Sequence, residues 1–322
     1  MIRRIALVTA REALALDPDM PPLVAAFTAA GCAVETPCWD DPTVDWAAFD
    51  AALLRSTWDY VPRAVEFRAF VERVSGMTRL HNPPVLVAWS LDKHYLADLA
   101  RAGVATVPTR FVEPGDAAAA ALAAFLAGGA PRATPEATIG AAAEYVVKPA
   151  IGAGSKDAAR YRADSADDRA RALDHLAALL AAGRSVMLQP YLASVDADGE
   201  TAMVYLDGRL SHAIRKGPLL APGAGFVEGL FAVEDIRPRE PGKDEGRVAK
   251  AAFNAIPGPP PLYARVDLVR DSEGAPVVLE LELVEPSLFL EHGPGAAERL
   301  VEGVLGRAER ASETPSIKDW KA

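Results

Sequence analysis

Residues 263–287, YARVDLVRDSEGAPVVLELELVEPS, set the architecture of this chain. Two apolar-rich runs flank the turn RDSEGAP, the composition of a β-hairpin. Glu280 and Glu282 stand two apart in an alternating run. On a strand they share one face, while Leu279, Leu281 and Leu283 take the other. Asp267 lies in the neighbouring run, and closing the hairpin brings Asp267, Glu280 and Glu282 to one place. Clustered carboxylates repel unless a cation sits among them. A hard divalent ion, chiefly Mg²⁺, is the natural occupant, and when few carboxylates hold it, it usually also holds nucleotide phosphates. The alternative is a solvated strand face on which Arg265 pairs with Asp267.

Outward from this hairpin, the 322 residues suffice for two or three small domains with a substantial core, and half of them are apolar, as in a globular protein. The formal charge of −10 and a pI of about 5.1 argue against nucleic-acid or anionic-membrane partners, which need basic surfaces. A local basic pocket for phosphates remains compatible with this balance. Cys32 and Cys38 have no metal-type spacing and read as a reduced pair. His81, His94, His175, His212 and His292 are scattered, without an HExxH pattern. No apolar run reaches spanning length, and Met1 leads directly into a strand pattern, so the expected address is cytoplasmic.

Residues 1–89 alternate strand and helix patterns, which predicts a wound, parallel α/β domain. Ligands in such sheets bind at the carboxyl ends of strands, where RSTWDY (55–60) falls. The pattern changes at Ser90. Residues 90–184 read as a central unit: a helix with Ser90 as N-cap and Gly103 as stop, a strand, an alanine-rich helix at 116–127, then strand, glycine loop and strand in EYVVKPAIGAGSKDAARY, and a helix at 165–182. Residues 185–310 form a third unit of strand-like runs, a helix at 243–255, the acidic hairpin and a final helix at 294–309. Residues 311–322 read as a polar, flexible tail, and no internal repeat is present.

Several of these segments carry residues suited to chemistry. Lys148 ends an apolar strand before the loop IGAGSK, where Gly152, Gly154 and Ser155 can cradle phosphate on backbone N–H groups; a plain hairpin turn is the alternative. Neither a P-loop nor a GxGxxG fingerprint is present. Lys93 lies in a predicted helix start, where most lysines are merely solvated. Arg215 and Lys216 end a strand-like run and could clamp a transferring phosphoryl group, or simply be a solvated strand end. Arg55 could grip a substrate carboxylate, with Ser56, Thr57 and Tyr60 beside it; Trp58 and Tyr60 could wall a pocket or belong to the core. Glu200 could accept from a sugar hydroxyl or be an ordinary exposed acid.

Taken in order, these segments resemble the ATP-grasp superfamily, in particular the glutathione-synthetase-like ligases, over about residues 3 to 305. HNPP followed by SLDKHYLADLARAGVATVPT is similar to the family's approach to its ATP-binding lobes, and VVKPAIGAGS to its lysine and glycine loop; this implies Lys93 and Lys148 on the phosphates. MLQPYL resembles the hinge beside adenine, implying backbone contacts from Gln189, Pro190, Tyr191 and Leu192. Glu200 matches the acid near ribose or substrate, Arg215 the arginine at the reacting phosphate, and Asp267, Glu280 and Glu282 the Mg²⁺ ligands. The family motif is E-x-N where this chain has E-x-E. RSTWDY with ELELVEPSLF further resembles the subgroup that includes the O-ureido-serine cyclo-ligase of cycloserine biosynthesis.

The resemblance implies an ATP-grasp fold, an N-terminal wound domain followed by two ATP-binding subdomains. It also implies a ligase that joins a carboxylate to an amine through an acyl phosphate, with ATP and two Mg²⁺ ions. The expected partner is a small amino-acid-like substrate, and the expected assembly a homodimer or homotetramer. Residues 217–229, rich in Gly and Pro, are expected to close over the site as a lid. The alternatives are an intermolecular dipeptide ligase and a non-catalytic ATP-binding module.

Overall fold

The computed structural model describes residues 3–128, 143–220 and 235–313. The N-terminal domain contains β1 (Arg4–Thr9), α1 (Met20–Ala29), β2 (Ala33–Glu35), β3 (Ala51–Ser56), α2 (Ala64–Ser75) and β4 (Arg79–His81). β1 and β3 are apolar runs buried almost throughout, as central parallel strands covered on both faces must be. The sheet is parallel, in the order β2-β1-β3-β4. On one face Trp39 meets Phe67 and Phe70 edge-on, and Trp46 meets Phe70 in the same way, a favoured geometry for ring quadrupoles. The other face closes against α1 and against elements from the far end of the chain.

Two short helices follow, α3 (Pro84–Ser90) and α4 (Tyr95–Arg101). Ser90 is therefore the last residue of a helix that sequence patterning missed, not an N-cap. Its hydroxyl accepts from Leu283 N at 3.0 Å and donates to Leu281 O at 3.3 Å, tying α3 to the acidic hairpin. Lys93 sits in the turn between α3 and α4 rather than in a helix.

The central unit comprises β5 (Arg110–Val112), α5 (Ala118–Leu126), β6 (Glu144–Pro149), β7 (Ala159–Arg162), α6 (Ala166–Ala181) and β8 (Val186–Pro190). Ser165 caps α6 by accepting from Asp168 N, with Asp167 and Asp168 placed favourably at the positive end of the helix. The strands form an antiparallel sheet, order β5-β8-β6-β7, covered by α5 and α6 through Leu122, Phe125, Leu176 and Leu179. β8 belongs to this sheet. Sequence patterning groups it with the third unit; its partners β5 and β6 precede it by many residues, and only the assembled sheet reveals the pairing.

The third unit holds α7 (Ser194–Asp198), β9 (Glu200–Leu206), β10 (Arg209–Lys216), β11 (Ile236–Pro238), α8 (Lys243–Asn254), β12 (Tyr263–Arg270), β13 (Pro276–Glu282) and α9 (Ala296–Glu313). Its strands form an antiparallel sheet, order β11-β10-β9-β12-β13. Alternation along β9 and β12 sends Met203, Tyr205, Ala264 and Val266 to a core with α3, α4 and α8. Val204, Leu206 and Tyr263 go to the core shared with the N-terminal sheet and with Leu300 and Val304 of α9. α9 extends past the predicted helix end into the expected tail. Residues 314–322, and residues 221–229 of the expected lid, lie outside the described residues. Among the described residues, no helix is long and apolar enough to cross a membrane.

Candidate active site

The register of β12 and β13 builds the acidic centre. Asp267 pairs with Glu280 and Arg265 with Glu282, so all four side chains share one face. The register then shifts, and Leu268 pairs with Val278. Leu279 is thus the extra residue of a β-bulge. It lines the cavity on the acids' side, against the alternation expected for it, while Leu281 and Leu283 stay in the core. Asp267, Glu280 and Glu282 each offer an oxygen within 4.8 Å of the others.

Cations interlock these acids. Arg265 Nε lies 2.8 Å from Asp267 Oδ1, and its Nη2 lies 3.0 Å from Asp267 Oδ2 and 2.5 Å from Glu282 Oε1. Lys216 Nζ bridges Asp267 at 2.7 Å and Glu200 at 2.8 Å. Lys93 Nζ meets Glu280 at 2.9 Å and donates to Gly152 O at 2.8 Å. Burial pushes the Asp267 carboxyl up, but Arg265 and Lys216 outweigh it and hold the pKa at about 2. Glu280 is likewise held below the ordinary range, burial being outweighed by Lys93 and Lys148. Glu282 goes the other way, pushed up to about 8 by burial and by the charges of Glu280 and Asp267, against the pull of Arg265.

The glycine loop follows β6. Lys148 on β6 and Gly152, Gly154 and Ser155 on the loop all line the same cavity. Gly154 and Ser155 have φ of +60° and +56°, a left-handed turn that glycine relieves at the first position. Among the described residues Lys148 makes no ion pair. Burial pushes its pKa down, and neighbouring Lys93 and Lys216 add to this against the attraction of Glu280. Gln189, Pro190, Tyr191 and Leu192 line the same cavity. Tyr191 is held there by its hydroxyl on Asp196 at 2.6 Å and by Arg160, whose guanidinium carbon lies 3.4 Å from the ring centroid.

A family profile described as "D-cycloserine synthetase DcsG, N-terminal domain" matches residues 5–82. The cycloserine biosynthesis protein DcsG of Streptomyces lavendulae is 46% identical over 310 residues, covering 94% of this chain and 98% of that protein. The chain belongs to the DcsG family of ATP-grasp ligases. The crystal structure of D-cycloserine synthetase DcsG superposes with a TM-score of 0.84 at 44% identity, over 94% of this chain and 99% of that one. A D-alanine–D-alanine ligase from Bacillus anthracis gives 0.64 at 15% identity, over 96% and 98% of the two chains, a likeness of fold alone.

Within this DcsG-family fold, five of the predicted site residues do not line the cavity. Asp267 is one: it is fully buried, its oxygens held by Arg265 and Lys216, and it meets the cavity only through its cluster with Glu280 and Glu282. Arg55, Ser56 and Thr57 are 1% exposed or less and do not line it. Arg55 lies at the seam between the N-terminal sheet and the segment after β13, donating to Pro286 O at 2.9 Å and approaching Asp19 at 3.5 Å. Ser56 Oγ contacts Thr9 Oγ1 at 2.8 Å inside the sheet. Of this corner, Trp58 and Tyr60 line the cavity. Arg215 is the fifth. Adjacent strand residues point to opposite faces, so Lys216 enters the cavity while Arg215 donates to Asp198 O at 2.8 Å and pairs with Asp235. Gly199, between them and β9, admits no side chain: a Cβ there would stand 2.3 Å from Lys216 O.

The cavity also contains residues not predicted as site residues. Arg265 was visible only as the partner of Asp267 in the bland alternative. That ion pair does form, but it is buried within the acidic cluster rather than on a solvated face. Glu285, Ser287 and Phe289 come from the segment after β13. The acid spacing ends at Glu282, and nothing in local patterning shows that the chain turns back into the cavity.

Proposed function

We propose that this chain is an ATP- and Mg²⁺-dependent carboxylate–amine ligase that closes an amide within an amino-acid derivative such as O-ureido-serine. The observation that supports it most is the convergence of three features on one cavity: the lysine-flanked glycine loop, the 189–192 hinge and the acidic hairpin. The membership in the DcsG family favours ring closure over the joining of two molecules. ATP would lie with its base against residues 189–192, with Glu200 near its ribose or the second substrate. Its phosphates would lie over Gly152, Gly154 and Ser155, between Lys93 and Lys148.

The all-oxygen donor set fits Mg²⁺, and Asp267, Glu280 and Glu282 would hold it, with room in the chemistry for two ions. Bound there, Mg²⁺ offsets negative charge on the phosphates. The substrate carboxylate oxygen attacks the γ-phosphorus, the bond from phosphorus to the β,γ-bridging oxygen breaks, and ADP leaves with that electron pair. The amine nitrogen then attacks the acyl carbon, the bond from that carbon to the phosphate oxygen breaks, and the nitrogen gives up a proton. Lys148, Lys216 and Arg265 stabilise the oxygens that gain charge in both steps. Positioning supplies much of the rate, since no side chain needs to form a bond to substrate. Trp58, Tyr60, Leu91 and Phe289 give the cavity an apolar wall that disfavours water as a competitor.

The test is an ADP-release screen with Mg·ATP over amino acids, short peptides and O-ureido-serine, followed by product masses. Substrate-dependent ADP release with a product built from one substrate molecule is expected. A product joining two molecules would replace ring closure by intermolecular ligation, and absence of any turnover would leave only a nucleotide-binding module.

A further inference from the structure

We propose that the carboxyl of Glu285 is the acceptor for the ammonium group of the amino-acid-like substrate, in a subsite walled by Trp58 and Tyr60. This assignment rests on the ligase reading above and specifies how its substrate is oriented.

Glu285 is 6% exposed and lines the cavity. The Tyr60 hydroxyl and the residue's own backbone amide serve its carboxyl, yet Oε1 has no hydrogen-bond partner. A buried acceptor left unmade is costly, and native structures rarely keep one without a use. Burial pushes the Glu285 pKa up, so a cation placed beside it would be rewarded.

The other acids of the site are already engaged. Asp267 is held by Lys216 and Arg265, Glu280 by Lys93, Glu282 by Arg265, and Glu200 by Lys216. Among these described acids Glu285 is the one without an ion pair. A molecule that directs its carboxylate at the reacting phosphate must place its ammonium elsewhere, on an anion not already neutralised. Glu285 meets that requirement, and its aromatic neighbours come from the N-terminal domain rather than from the nucleotide-facing sheet.

The segment that carries Glu285 is also fixed in advance. Asp19 accepts from Leu288 N at 2.6 Å, Phe289 N at 3.2 Å and Leu290 N at 2.8 Å. Arg55 donates to Pro286 O at 2.9 Å, and Trp58 Nε1 to Glu285 O at 3.4 Å. A recognition group held on both sides loses little freedom when its ligand arrives. Arg55 and Asp19 are positioning residues for this subsite.

The experiment compares O-ureido-serine with the same molecule carrying hydrogen in place of its α-amino group, by ADP release at saturating Mg·ATP. The parent enzyme, Glu285→Gln, Glu285→Ala and Tyr60→Phe are measured side by side. The parent is expected to favour the amino compound in kcat/KM by on the order of 10²-fold, the scale of a charged hydrogen bond. Both Glu285 variants should bring the two compounds to within about fivefold of each other, mainly through KM, with the KM for ATP unchanged. Tyr60→Phe should shift the ratio the same way by less. A purely structural role would raise KM for both compounds alike and keep their ratio, and that result overturns the assignment while leaving the ligase reading intact. A parent that releases no ADP with these compounds or with any other amino-acid derivative overturns both.

Discussion

At the scale of single residues, the site is an array of charges whose value depends on which side of a strand each occupies. Glu280→Gln keeps the shape of the side chain and removes a charge that faces Lys93 and Lys148. ADP release should fall by about 10²-fold or more, with native secondary structure by circular dichroism but a lower urea midpoint, because Lys93 loses its partner. Lys216→Ala should be comparably damaging, whereas Arg215→Ala should stay within about threefold of the parent, since exposed pairs contribute little; equal losses in the two variants would show that Arg215 does reach the reacting groups. Asp267, Glu280 and Glu282 were legible because period-two spacing alone puts residues on a common face. Arg215 was misread because adjacency in sequence was taken as adjacency in space, which strand geometry forbids. The extra acid of E-x-E has a counterpart in the structure: Glu282 shares Arg265 with Asp267, and burial pushes its pKa upward.

At the scale of elements, the segment 285–290 and strand β4 matter most. Asp19→Ala would leave three backbone N–H groups of that segment without their acceptor. A loss of about 2–4 kcal/mol in unfolding free energy, read as a lower urea midpoint, is expected. His81 at the end of β4 is buried, and desolvation holds its pKa at about 4 against an ordinary 6.5. Below pH 6.5 the unfolded chain takes up a proton that the folded chain refuses, so stability falls as the pH drops, until the folded form also protonates near pH 4. Urea titrations across that window should show a loss of about 3 kcal/mol, and His81→Leu should remove that portion of the slope. Elements with long periodic runs were readable from sequence. α3 was hidden by its two leading prolines and short length, β11 by having three residues, and β8's sheet membership by pairing that is non-local.

At the scale of the whole molecule, the N-terminal domain is not self-contained. Its core beneath β1 and β3 is completed by Val204, Leu206, Tyr263, Leu300 and Val304, and Asn82 donates to Tyr263 O and Leu283 O at 2.9 Å each. A fragment of residues 1–82 should therefore show no cooperative thermal transition by circular dichroism, although a family profile isolates nearly that span. The wound domain was evident from alternating patterns, but its dependence on the last helix was not, because a strand's apolar residues do not say which layer will cover them. The interlocked cations and acids around Asp267 carry a practical corollary for anyone preparing a silent version of this protein. Erasing one member of a couple strands its opposite in a dry interior, where the forsaken charge is more damaging than the loss of both. Electroneutral double replacements, such as Lys93→Met with Glu280→Leu, are the inert controls that should still fold.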